Sequence, residues 1–553
     1  MSDTAAGLVQ LGILLVALAL VYKPLGDYMA RVFSSEKHTK AERGLYKLFR
    51  VNPDTEQRWP MYATGVLAFS LVSVLFLYLL QRLQPILPWN LGRGAVSPAV
   101  AFNTAVSFVS NTNWQSYVPE TTMGHFVQMA GLTVQNFLSG AVGIAVAIAL
   151  IRGFIRSRTD RLGNFWVDLT RGTVRILLPM AFVFAIVLMG LGVIQSLKAG
   201  VAVTNPDGSQ STIALAPVAS QESIKELGNN GGGVLNANSA HPFENPNSWT
   251  NLIEIFMMLV IPVSLTRTFG KLVGNAKQGY VLLSVMGALW GAMLAVIWIS
   301  EGKAGGPAAL LAGANMEGKE QRFGISASSI FSDTTTGTST GAVNAAHDSY
   351  SGLGGGGTLL NILFGEISPG GVGAGIYGIL VMAIIAMFLA GLMVGRTPEY
   401  LGKKLGKREV TSAAISMLAM PTLVLLGTGA ALMIPGTAAA LTNSGAHGLS
   451  EVFYAYASGS NNNGSAFGGL TATSNWFQST LGVAMLLGRF IPIIAVLCLA
   501  GSLAAQKKVP ETAGTLPTTG PLFGTMLVGT VVLVAALTFI PALALGPIAE
   551  ALA

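Results

Sequence analysis

The 553-residue chain has a single cysteine, five histidines and charged side chains at only 10% of its positions. One cysteine, Cys498, excludes a disulfide framework and a cysteine-based metal site. So few charges exclude a string of soluble domains, which this length otherwise suggests, and no polar segment is long enough to build one. What remains is apolar: 51% of residues are hydrophobic, and the mean hydropathy is +0.58.

Runs of about 18 or more apolar residues read as membrane-spanning helices. Ten lie at roughly 5–22, 62–80, 126–151, 176–195, 249–266, 280–299, 358–395 (interrupted), 413–434, 476–503 and 522–545. The expectation is an all-α polytopic membrane protein. The leader MSDTAAG carries Asp3 and no basic residue, so the first run reads as a retained helix and not a signal peptide.

Loop charge orients these spans. Of the 32 lysines and arginines, 24 fall in loops on one side and 7 on the other, with Arg489 left inside the ninth span. The positive-inside rule puts the 24 in the cytoplasm and both termini outside. The net charge of +7 therefore follows topology and does not point to nucleic acid, since no basic run is interleaved with stacking aromatics. The basic stretch GKKLGKREV at 402–410 lacks the phosphate-binding loop pattern and reads as a cytoplasmic loop.

Four outer connections share one form: a segment able to make a half-helix (96–110, 216–228, 325–338, 449–460), then a small polar knot, then the next span. The knots are NTNWQ at Asn111, NNGGG at Asn229, STGAV at Ser339 and NNNGS at Asn461, spaced by 118, 110 and 122 residues. One Asn/Gly/Ser cluster between spans is an ordinary turn. Four in register indicate a fourfold structural repeat, with boundaries at 61–165, 166–275, 276–405 and 406–510, flanked by a first span with a basic loop (1–60) and a final span (511–553).

Irregular backbone is tolerated at membrane depth only where protein or water satisfies its polar groups. Gly and Asn permit the backbone angles that turn carbonyls toward a common axis. Rings of carbonyl oxygens replace the hydration shell of a potassium ion, and a half-helix pointing its C-terminal end at the centre favours a cation. Thr112, Ser339 and Thr340 are placed to add hydroxyl oxygens. The knots hold no thiolates or clustered carboxylates, which disfavours calcium or a transition metal there.

NNGGGVLNANSAHPFENP (229–246), GAVNAAHDS (341–349), GRTPEYLGKK (395–404), HGLSEVFYAYASGSNNNGSAFGGL (447–470) and LLGRF (486–490) closely resemble the KdpA family, over essentially the whole chain. That family is the potassium-translocating subunit of a bacterial transporting ATPase, within the superfamily of potassium transporters built from four span–pore–span repeats. The resemblance implies a bacterial inner-membrane location and three partners: a P-type ATPase subunit (KdpB), KdpC and the one-span KdpF. Potassium would enter a filter from outside and pass sideways to the ATPase subunit, which uses ATP. By position the filter is Asn111-Thr112-Asn113, Asn229-Asn230-Gly231, Ser339-Thr340-Gly341 and Asn461-Asn462-Asn463-Gly464, with Gln115 at its entrance. The family commonly has Thr where this chain has Asn229 and Cys where it has Thr340.

The seventh span is broken by GEISPGGVGAGIYG (365–378), with six glycines and Pro369. A gate beneath the filter is the functional reading of Glu366, Gly370 and Gly371; a packing kink is the structural one. An intramembrane charge needs a cavity or a partner. Glu366 and Arg489 are therefore expected close together on the cytoplasmic side of the filter, with Arg489 an electrostatic barrier. His125, His241, His347 and His447 lack ligand spacing and read as hydrogen-bonding caps, with Asp348 and Glu244 adding negative potential at the mouth. No segment reads DKTGT, the phosphorylated motif of a P-type ATPase, so energy must arrive from a partner. The competing readings are a passive potassium channel or cation symporter of the same superfamily, and a membrane enzyme using Glu366 and the outer histidines.

Overall fold

The computed structural model describes residues 2–303, 314–510 and 515–553. The boundary expected at 511 lies outside the described residues. Among the described residues, ten helices are long and apolar enough to cross a membrane: Asp3–Ser34, Trp59–Arg82, Val127–Ile155, Phe165–Gly190, Ser248–Leu272, Ala276–Glu301, Ala374–Val394, Lys407–Leu432, Asn475–Ala505 and Pro521–Leu552. Among the described residues, three two-stranded antiparallel ribbons accompany this helical frame.

Burial alternates along the chain. In the spans that open a repeat, the second, fourth, sixth and eighth, 33, 33, 39 and 28% of the most apolar stretch is buried. In those that close one, the third, fifth, seventh and ninth, the shares are 83, 78, 67 and 56%. The closing spans thus form an inner wall, and the opening spans turn Leu71, Phe182, Ile299 and Leu426 outward, as lipid-facing side chains do. The first and last spans, 17 and 28% buried, lie outside this ring.

Two of the boundaries that differ from the sequence reading lie where a charge finds a partner. The first helix continues past residue 22 to Ser34. Asp27 on that extension bonds Arg267 Nε at 2.8 Å, and Thr268 Oγ1 donates to the Gly26 carbonyl at 3.0 Å. The fourth span begins at Phe165, so Arg171 and Arg175 lie within the helix and not in the preceding loop. Both converge on the fully buried Glu42, at 3.6 and 2.5 Å. Glu42 belongs to a short helix, Lys40–Leu48, started by a Thr39 capping box.

A second buried pair ties the ends of three spans on the same side. Arg152 in the third forks onto Asp168 in the fourth at 2.5 and 2.8 Å, and Tyr62 in the second donates to the same carboxylate at 2.9 Å. Removing one partner of such a buried pair costs about 3–5 kcal/mol.

Between the opening and closing span of each repeat a half-helix dips inward: Pro98–Val109, Val218–Leu227, Gly324–Gly337 and Gly445–Asn461. The seventh span divides as the glycine content predicts. Gly352–Leu363 ends before a break, and Ala374–Val394 resumes the crossing.

Candidate potassium filter and the cavity beneath it

Each half-helix ends with the same turn. The first loop residue adopts positive φ: Asn111 at 68°, Asn229 at 49°, Ser339 at 61° and Asn462 at 63°. The amide of the next residue then reaches back five positions, from Thr112 to Ser107 O (2.9 Å), Asn230 to Lys225 O (2.9 Å), Thr340 to Thr335 O (3.2 Å) and Asn463 to Ser458 O (2.9 Å). The third residue returns to positive φ: Asn113 at 55°, Gly231 at 81°, Gly341 at 79° and Gly464 at 102°. This bond fixes the register of the fourth knot. Asn461, read from sequence as the first residue there, is the last residue of its half-helix and bonds Ala457 O at 3.0 Å. The equivalent position is Asn462, one residue later.

Most loop carbonyls are unpaired among the described residues; those of Asn229, Gly231 and Asn462 accept side-chain hydrogen bonds, whereas the middle position is free in all four loops. The oxygens of Thr112, Asn230, Thr340 and Asn463 accept no hydrogen bond from the described residues, although all four residues are fully buried. The loops also close into a ring. A methyl group on Gly231 would overlap the Thr340 carbonyl oxygen, one on Gly341 that of Asn463, and one on Gly464 that of Thr112. The remaining junction carries Asn113 in place of glycine. There Asn111 Nδ2 donates to the Asn229 carbonyl at 2.9 Å, and Asn230 Nδ2 donates to Asn111 Oδ1.

Side chains behind the ring follow a two-fold pattern. Asn229 Nδ2 donates to Thr340 Oγ1 and Met258 O, both at 2.9 Å. Asn462 Nδ2 donates to Thr112 Oγ1 at 2.9 Å and Met485 O at 3.0 Å. The two threonine hydroxyls therefore serve neighbouring side chains and do not supply the axis as the sequence suggested. Ser339 Oγ likewise turns to Glu366 and the Asn462 carbonyl. Above the ring, Gln115 forms a reciprocal pair with the Gly233 backbone at 3.0 Å in each direction, so it clamps loop one to loop two.

Below the ring lies a cavity of about 130 Å³, lined by Ser339, Glu366, Asn461, Asn462, Gly488 and Arg489 among others. By volume it has room for several water molecules. Glu366 and Arg489 thus share one chamber. Arg489 is 5% exposed, and its Nη2 and Glu366 Oε1 have no hydrogen-bond partner. The break that carries Glu366 is laced to the third half-helix. Gly370 N donates to Gly337 O at 2.8 Å, and Ser368 bonds Asn361 at 2.8 Å. Asn361 in turn bonds Asp333 O at 2.9 Å. Gly371 packs so that a methyl there would sit 2.9 Å from Ser339 Cβ.

The outer histidines do not converge. His125 contacts Lys198 O at 3.1 Å, and His241 accepts from Phe243 N at 3.0 Å. His347 reaches the filter indirectly. It contacts the Tyr454 hydroxyl at 3.1 Å, which bonds Ser465 Oγ at 2.8 Å, and Ser465 Oγ donates to Asn463 Oδ1 at 2.5 Å. Burial, with Lys319 nearby, pushes His347 down to about 3, so it stays neutral. His447 sits between Asp348 and Glu550 at 3.0 and 2.9 Å. Glu244, expected at the mouth, is instead fully buried and paired with Lys225 at 3.0 Å. Sequence reasoning missed the carboxylates Glu222, Glu226 and Glu254 gathered around that lysine, because they come from two elements and no local spacing announces them.

The family model described as "Potassium-transporting ATPase A subunit" (KdpA) matches residues 12–552. The potassium-transporting ATPase potassium-binding subunit of Rhodococcus erythropolis is 63% identical, with 100% of both chains covered. The protein of the same description from Streptomyces coelicolor is 60% identical, again over 100% of both. Among solved structures, the potassium transporter TrkH from Vibrio parahaemolyticus superposes with a TM-score of 0.52 at 14% identity, covering 77% of this chain and 83% of that one. At that identity the likeness concerns the fold alone.

Two outcomes follow from the ring and its rim. Gly341→Ala places a side chain at positive φ, at a cost of about 1–2 kcal/mol before any overlap, and weakens potassium binding by about tenfold or more. Titration calorimetry reads this against Gly529→Ala, where a methyl meets nothing within 4 Å; equal affinities would refute the ring. Hydrogen bonds that His447 donates to Asp348 and Glu550 outweigh burial and lift it to about 10. A group raised in the folded state contributes its full stability below its ordinary value of 6.5 and loses it as pH climbs through about 10. Melting temperatures across that window decline in the wild type through a step that His447→Gln lacks, and parallel curves would count against the clasp.

Proposed function

The chain belongs to the KdpA family of potassium-transporting ATPase A subunits, and from that premise we propose that it captures external potassium in the four-loop ring and passes it to an ATPase partner. It is a potassium-binding membrane subunit of such an ATPase. The observation that carries the finer reading is the set of four buried middle carbonyls, at Thr112, Asn230, Thr340 and Asn463, left without donors. Buried carbonyls are ordinarily paired, and here a dehydrated potassium ion completes them. The C-terminal ends of four half-helices add favourable potential for a cation. Asn111, Asn113, Asn229, Gly231, Ser339, Gly341, Asn462 and Gly464 shape the loops, and Gln115 braces the entrance.

The chamber below then decides where the ion goes. A cation about 5 Å from Arg489 is repelled by roughly 3 kcal/mol at an effective dielectric constant near 20. That is about a hundredfold in rate, enough to oppose straight passage into the cytoplasm. Glu366, with Gly370 and Gly371 shaping its loop, offers carboxyl oxygens in the same chamber, so the ion is held and directed sideways. Uptake is driven by ATP consumed in a P-type subunit (KdpB), with KdpC and the one-span KdpF completing a complex in the bacterial inner membrane, both ends of this chain facing outward.

The tagged chain, recovered from its native membranes in mild detergent, brings down a phosphorylatable ATPase whose hydrolysis rises with micromolar potassium. Recovery of the chain alone, conducting potassium in liposomes, would establish a passive channel instead. In the complex, Arg489→Ala raises potassium leak or uncouples ATP hydrolysis from potassium; if neither changes, the barrier role is wrong.

A further inference from the structure

Behind the second loop, Lys225 stands among four buried carboxylates. Its Nζ lies 2.7 Å from Glu222 and 3.0 Å from Glu244, and it also donates to Asn238 and Ser239 at 3.1 and 3.2 Å. An ammonium group has three protons, fewer than these four acceptors, so none remains for the other two carboxylates. Glu226 is 3.7 Å from the same nitrogen without a hydrogen bond, and Glu254, from the fifth span, has none either. Both oxygens of both carboxylates are orphaned, and both residues are fully buried. Yet one oxygen each from Glu222, Glu226 and Glu254 lies within 4.8 Å of the others.

We propose that Glu222, Glu226 and Glu254 form a site for a divalent cation of the calcium class, distinct from the potassium filter. Lys225 neutralises one of the four carboxylates, and a divalent ion neutralises two of the remaining three. All donors are hard oxygens, which select against soft transition metals. The cage is buried and irregular, which suits calcium better than magnesium, an ion that parts reluctantly with its water and demands an octahedron. Glu226 occupies the last turn of its half-helix, where the helix end disfavours a bare carboxylate and favours a bound cation. The site also has a line to the filter. Lys225 holds Asn238 Oδ1, and Asn238 Nδ2 donates to the Gly231 carbonyl at 2.7 Å. An ion here braces the second loop from behind.

The test uses the purified complex with potassium held constant and saturating, so that the filter's own ion contributes no difference. Elemental analysis after gel filtration finds one calcium per chain. A calcium chelator lowers the melting temperature, and added calcium restores it while equal magnesium does not. Glu226→Gln and Glu254→Gln, made separately, each weaken calcium binding by about tenfold or more. Absence of calcium together with a melting temperature indifferent to chelator would overturn the proposal and make the carboxylates neutral acids. Unchanged binding in both variants would overturn it too, by placing the ion elsewhere. Should either variant fail to fold, the chelation result on the wild type decides alone.

Discussion

A single backbone hydrogen bond, repeated four times, underlies the pore. After each half-helix an amide reaches back five residues, to Ser107, Lys225, Thr335 or Ser458. Making that bond forces the intervening residue to positive φ, which is why Asn, Asn, Ser and Asn occupy positions 111, 229, 339 and 462. It terminates the helix, sets the loop register, and leaves the next carbonyl without a partner. The exposed dipole of the half-helix and the ring of unpaired oxygens are two results of one local geometry. The rest of the fold keeps that geometry dry and in place, through four inner spans packed around it and four outer spans facing lipid.

Much of this was readable in the amino acids. Runs of apolar residues located all ten spans, because the bilayer imposes a length that composition alone reveals. The knots at Asn111, Asn229 and Ser339 were located to the residue, since Asn, Gly and Ser mark irregular backbone. The fourth was misplaced by one because NNNGS offers three equivalent asparagines, and only the Asn463–Ser458 bond tells them apart. Helix ends were read short wherever a charge was taken for a loop residue. Asp27, Arg171 and Arg175 lie within helices because Arg267 and Glu42 meet them there.

Contacts between distant segments were beyond reach. Nothing in SQESIKELG announces that Glu226 will face Glu254 in another helix, or that Lys225 will spend its protons on Glu222 and Glu244. Glu244 was misjudged for the same reason: an acid in an outer loop looks solvated until the fold covers it. Conversely, Glu366 and Arg489 were paired by cost, since intramembrane charges need company, and both line the chamber under the ring.

The cross-links from Asn229 to Thr340 and from Asn462 to Thr112 bear on how such a pore can diversify. A channel assembled from four identical subunits must alter every junction in one genetic step. Here the four loops lie on one polypeptide, and their side chains are tied across two opposite junctions between neighbouring loops. One junction can therefore drift while the others stand still, provided both halves of the tie change together. The two positions at which this chain departs from the pattern its family resemblance implies, 229 and 340, are the two ends of one such tie.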